Sequence, residues 1–148
     1  MKILLRIIQF FIALLLLTTA IGKLLDNRGF AEVLLTYDLF PEAVLLPLAL
    51  GMSLFELFLS LWIFSGIKLK YASIIAVILH IQLVLVAISS NLRELNIPNC
   101  GCFGVFWARP MNWGTVVEDS LLTTVCIVLY LLAKRLSDRP VASVDNDA

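Results

Sequence analysis

YASIIAVILHIQLVLVAISS, residues 71–90, runs for twenty residues without a charged side chain. A helix of that length spans about 30 Å, the thickness of a bilayer's hydrocarbon core. Its polar members, among them His80 and Gln82, are too sparse to make the water-facing stripe of a soluble helix. Three further stretches have the same character. Residues 3–21 are broken only by Arg6 and Gln9, residues 43–64 carry one charge, Glu56, and residues 113–133 carry Glu118 and Asp119 near their start and Cys126 near their middle. The fold expected is therefore all-α, an integral membrane four-helix bundle occupying residues 1–136, with a polar tail over 137–148 that is expected to be disordered.

Composition agrees. Of 148 residues, 61% are hydrophobic and 15% charged, and the mean hydropathy is +0.99. Soluble domains are nearer half apolar and a quarter charged, and so short a chain has no interior large enough for this much apolar surface. Lipid is the expected partner. A formal net charge of zero with no basic run excludes nucleic acid. The first stretch also has the basic start and apolar middle of a secretory signal, with Thr18-Thr19-Ala20 as a tolerable cleavage site. Its length favours a retained helix, and removal would leave the other three in the same orientation.

Lysine and arginine set orientation, because basic segments stay in the cytoplasm. Seven fall on one side (Lys2, Arg6, Lys68, Lys70, Lys134, Arg135, Arg139) and four on the other (Lys23, Arg28, Arg93, Arg109). Both termini are therefore expected inside, and residues 91–112 outside, in the periplasm or the exterior.

That outer segment contains NIPNCGCFGVFW, residues 96–107, with two of the three cysteines. Facing the periplasm, Cys100 and Cys102 sit where disulfides form and persist. A bridge across a single residue closes a small strained ring, which requires the permissive backbone of Gly101. Strained, exposed bridges are labile or catalytic, and a ring this short gains little stability. Two alternatives stand beside exchange chemistry. The turn could furnish half a metal site, but zinc and iron–sulfur sites usually take four ligands and the remaining candidates, His80 and Cys126, lie at depth; no metal is expected. The two could also be inert thiols.

No cysteine lies on the inner side, so thiol exchange alone cannot carry electrons across the bilayer. Local exchange with a thioredoxin-like protein and coupling to a membrane quinone remain. Polar residues at depth are costly and face the bundle interior. Ser53, Glu56 and Ser60 share one face of the second span, and Asp119 and Cys126 one face of the fourth. Glu56 and His80 are expected at similar depth, where a carboxylate–imidazole pair would handle protons or tune a quinone. Each has a structural alternative: Glu56 as an interhelical hydrogen-bonding residue, His80 as a satisfied core histidine, Cys126 as a small apolar filler. Glu118 and Asp119 also suit the positive end of a helix dipole. Trp107, Trp113, Phe103 and Phe106 suit an aromatic belt. The chain has no internal repeat, phosphate loop or Ser/His/Asp constellation.

Gly22-Lys23, Tyr37, Pro41, Glu56 and above all Cys100-Gly101-Cys102-Phe103-Gly104 give the chain, over residues 5–133, a resemblance to the methylamine-utilisation MauE family of DoxX-like four-helix membrane proteins. The chain departs at Arg93-Glu94, where members often carry Arg-Gly, and at Glu118, where an arginine often stands. The resemblance implies maturation of a disulfide-rich periplasmic protein, such as the small subunit of methylamine dehydrogenase, with a thioredoxin-like partner. Two rivals from other classes are a non-catalytic assembly subunit and a small transporter.

Overall fold

The computed structural model describes residues 1–138; all but the first two residues of the expected disordered tail, and Arg139 of the charge count, lie outside the described residues. Five helices follow in order: α1 (Lys2–Leu25), α2 (Asn27–Leu35), α3 (Glu42–Ser65), α4 (Leu69–Leu92) and α5 (Trp113–Ser137). Among the described residues all regular structure is helical. α1, α3, α4 and α5 are each long and apolar enough to cross a membrane. Their surface is inverted relative to a soluble protein. Phe58, Leu61, Ile78 and Leu85 point outward and are more than half exposed, while Gln9, Ser53, Ser60 and Ser73 are buried.

α1 packs along α3 and α4 along α5. Small residues line these seams: Ala13, Ala72, Ala76 and Ala133 lie among Ile12, Leu16, Leu59, Ile63 and Leu129, which lets the backbones approach closely in lipid. Polar contacts fix the register of α1 on α3. Gln9 Nε2 donates to the Ile63 carbonyl at 2.6 Å, Ser60 Oγ to Ala13 at 2.7 Å, and Thr19 Oγ1 to Glu56 Oε2 at 3.1 Å.

This register has a consequence for the end of the bundle that carries the 93–112 loop. Residue 9 of α1 lies opposite 63, 13 opposite 60 and 19 opposite 56, so α1 stops while α3 continues. The space above α1 is filled by α2 and by the 93–112 loop. Phe30, Ala31 and Val33 of α2 pack with Tyr37, with Leu45 and Ala49 of α3, and with Ile97 of the loop. Irregular backbone at this level is tolerated because it is covered by protein.

Local chemistry sets the ends. Asp26 caps α2, its Oδ1 accepting from Gly29 N at 2.9 Å. Asn112 and Thr115 form a reciprocal capping box on α5. Gly66, at φ 71°, stops α3. α2 has no counterpart among the four stretches that the sequence marks as membrane spans.

Candidate functional site

The 93–112 loop is pinned at its base and its tip. Met111 N donates to Ile97 O at 2.9 Å, and Cys100 N to Arg109 O at 2.7 Å. Asn99 staples the motif that follows it: its Oδ1 accepts from Gly101 N at 2.9 Å and its Nδ2 donates to Gly104 O at 3.2 Å. Tyr37, buried on the far side of the notch, donates its hydroxyl to Cys100 O at 2.7 Å. Burial, with the negative charge of nearby thiolates and Asp119 adding to it, pushes the Tyr37 phenol well above its usual range, so it stays a donor. Arg93 Nη1 in turn holds Tyr37 O at 3.0 Å.

Gly101 and Gly104 both take left-handed backbone, at φ 71° and 72°. At Gly101 a Cβ would meet Phe30 and Val33 at 3.0 and 2.9 Å. Gly104 is tighter: a Cβ there would collide with Gly22 O, and one on Gly22 with Phe103 O. The two glycines thus form a backbone-to-backbone contact that seats the cysteine loop on the end of α1. Gly104→Ala is expected to unseat the loop, since the left-handed backbone alone costs an alanine about 1–2 kcal/mol and the collision adds to it. Faster labelling of Cys102 by a membrane-impermeant thiol reagent, with helix content unchanged, is the expected readout. Gly22→Ala, at ordinary φ, is expected to do the same through the collision alone.

Within the seated loop the two thiols touch, Sγ to Sγ 2.9 Å. Cys100 is buried and Cys102 partly exposed. A proton shared between touching thiols favours one thiolate at a time. The S–H of Cys102 pulls Cys100 down to about 7, helped by the Cys102 amide and the Arg109 charge against burial. Cys102 is correspondingly pushed up, by the same hydrogen bond and then by burial. Arg109 itself is held by Glu118, Nη2 to the carboxylate oxygens at 2.6 and 2.5 Å, on an exposed surface where such a pair adds little stability.

Beneath the loop lies a buried ion pair. Lys23 Nζ is 2.5 Å from Glu56 Oε1, with both side chains almost fully excluded from solvent, and the ammonium stands 5.1 Å from the centre of the Phe30 ring. Glu56 therefore pairs with Lys23 and Thr19 of α1, as the interhelical hydrogen-bonding alternative has it, and not with His80. The reason is that α1 runs four residues beyond Ile21, which brings Lys23 into the bundle instead of the outer aqueous segment. His80 donates from Nδ1 to Ala76 O at 2.8 Å and lies 3.7 Å from Cys126 Sγ, both deep among the helices.

Of the candidate residues, the structure brings Cys100, Gly101, Cys102, Phe103 and Gly104 together, with Asp119 of α5 buried and near enough for its charge to raise both thiols. Glu56 reaches this cluster only through Lys23, and His80 lies apart from it. Asn99, Lys23 and Phe30 were not singled out as site residues from the sequence. Asn99 had a signal, an Asn two residues before a glycine, the pattern of a side-chain-closed turn.

The model of the family "Methylamine utilisation protein MauE" matches residues 1–132, a span that takes in both cysteines of the loop and the Lys23–Glu56 pair. The chain belongs to the MauE family. No curated protein and no solved structure matches it. As a MauE protein with four membrane-crossing helices, it is a multi-pass membrane protein of methylamine utilisation. Glu94, just ahead of the cysteine motif, adopts φ 51°, a conformation that glycine takes more readily than any other residue.

Proposed function

We propose that this MauE protein lies in the bacterial inner membrane with both termini cytoplasmic, and that its outward Cys100–Cys102 pair exchanges disulfides with a periplasmic protein. The thiol–thiol contact in a rigidly seated loop carries the reading. Burial of Lys23 supports the orientation, since only Arg28, Arg93 and Arg109 then remain as outer basic residues. The substrate is a disulfide-rich protein of the methylamine system, such as the small subunit of methylamine dehydrogenase, and the exchange partner is thioredoxin-like.

Cys100, the thiol with the lowered pKa, attacks one sulfur of the partner's disulfide. A mixed disulfide forms and the partner's second sulfur leaves as a thiolate that takes up a proton. Cys102 then gives up its proton and attacks Cys100 Sγ. The partner leaves as a dithiol and the Cys100–Cys102 pair is oxidised by two electrons; the reverse sequence returns them. No step requires a quinone, and Glu56, His80 and Asp119 are candidates for proton handling only.

Acid quenching and mass-tagging of Cys100 and Cys102 in intact cells, with Cys126 replaced by alanine, tests this. A thiol–disulfide mixture that shifts when the thioredoxin-like partner is deleted is the expected result. Two thiols that stay reduced and closed to an impermeant reagent would overturn both topology and mechanism. In the same background, alkylation of Cys100 is expected to accelerate as pH rises through about 7, below the ordinary cysteine value of about 8.5. Cys102→Ala should move that rise to higher pH, because the hydrogen-bond donor to the thiolate is gone.

A further inference from the structure

At the end of the bundle opposite the cysteines, Lys2 and Arg6 of α1 and Lys68 and Lys70 of the α3–α4 turn converge on one cavity of about 560 Å³. Packing brings them together. A Cβ on Gly66 would lie 3.2 Å from Gln9 Nε2 and 3.5 Å from Arg6 Nη1, so the turn is pressed against α1 where Arg6 stands. Arg6 Nη1 also donates to Gln9 Oε1 at 3.2 Å. Among the described residues a single carboxylate answers these four cations, Asp138, 3.5 Å from Lys70 Nζ on an exposed edge. Such a cluster of like charge is self-repelling until an anion enters it.

A second concavity, of about 520 Å³, shares Lys2 and Arg6 with the first and continues along Ile3, Ile7 and Phe10. These three share one face of α1 and are exposed. Phe10 is fixed edge-on to Phe64, ring centres 5.1 Å apart. A cationic cavity therefore adjoins an open apolar groove along one face of α1, with Phe10 held against Phe64 at its far end.

We propose that this composite cavity binds one anionic phospholipid. The headgroup phosphate sits among Lys2, Arg6, Lys68 and Lys70, with Arg6 supplying a planar fork suited to two phosphate oxygens. One acyl chain lies along Ile3, Ile7 and Phe10. A headgroup anion alone satisfies the cavity but leaves the groove empty; a neutral lipid does the reverse. Basic pockets at the cytoplasmic ends of membrane helices recognise anionic headgroups on these terms. The site shares with the proposed function the orientation that puts this basic end inward, and it does not depend on the chemistry of the cysteines.

The full chain, purified and delipidated, would be placed in phosphatidylcholine nanodiscs with and without phosphatidylglycerol, and lipid binding read by native mass spectrometry and thermal shift. Phosphatidylglycerol is expected to bind and raise the melting temperature, whereas inorganic phosphate at the same concentration does neither. In the quadruple variant Lys2→Gln/Arg6→Gln/Lys68→Gln/Lys70→Gln, binding is expected to fall at least about tenfold. Lys134→Gln/Arg135→Gln, at the same end but outside the cavity, is expected to leave it unchanged. Because loss of inner charges can disturb insertion, Ile3→Ser/Ile7→Ser keeps every charge and is expected to weaken phosphatidylglycerol binding as well. Equal lipid binding by the quadruple variant and the wild type would overturn the site. So would an equal loss in the Lys134/Arg135 variant, or a thermal shift reproduced by inorganic phosphate alone.

Discussion

Replacing both Cys100 and Cys102 with serine is expected to reduce disulfide exchange to background while the protein accumulates in the membrane as before. The loss is complete because a serine hydroxyl stays protonated at neutral pH and forms no mixed disulfide, whereas the thiolate is the nucleophile in every exchange step. Accumulation persists because the loop is held by groups other than sulfur: the Tyr37 hydroxyl, the Asn99 amide, the Arg109 carbonyl and the Gly22–Gly104 contact. The single variants separate the two roles. Cys102→Ser is expected to trap a mixed disulfide through Cys100, visible as a reducible adduct of the combined mass, and Cys100→Ser to trap none. If the double serine variant still supports maturation of the partner protein, the loop only docks that partner and the protein is an assembly subunit.

Removing one member of the Lys23–Glu56 pair is expected to destabilise the bundle by about 3–5 kcal/mol, the usual cost of leaving a buried charge without its partner. Lys23→Met strands a carboxylate whose remaining donor is Thr19; Glu56→Leu strands the ammonium under Phe30. The double variant Lys23→Met/Glu56→Leu is expected to recover most of the loss, because replacing a whole buried pair by apolar side chains is often close to neutral. Denaturation in detergent, or the amount surviving in membranes, reads the difference. Single variants as stable as the wild type would show that water reaches the pair.

The four spans were legible because each is an unbroken apolar run, and lipid leaves the chain few alternatives to a helix there. α2 was not. Its sequence, NRGFAEVLL, is short, mixed in polarity and begins at a glycine-containing turn, so neither length nor hydropathy marks it; packing against α3 and the loop stabilises it. The cysteine motif was legible as a motif, and the left-handed backbone of Gly101 is what a Cys-Gly-Cys turn asks for. The floor beneath it was hidden by a counting rule. Lys23 was placed with the outer basic residues, so Glu56 was left to His80. Only the axial offset of α1 against α3 reveals its true partner, and that offset arises from side chains at positions 9, 13, 19, 56, 60 and 63 acting together. The Gly22–Gly104 contact was visible solely as two glycines, one in Gly22-Lys23 and one ending the cysteine pentapeptide, with no hint that they touch.

The notch above α1 also bears on how each chain is made. Its walls come from residues 22–49, and its occupant from residues 95–111, with α4 crossing in between. Tyr37 leaves the ribosome 63 residues ahead of the cysteine whose carbonyl it holds. Gly22, Lys23 and Phe30 precede it. The receptor for the reactive segment is thus synthesised before the segment itself, and no part of it has to wait for residues that follow the cysteines.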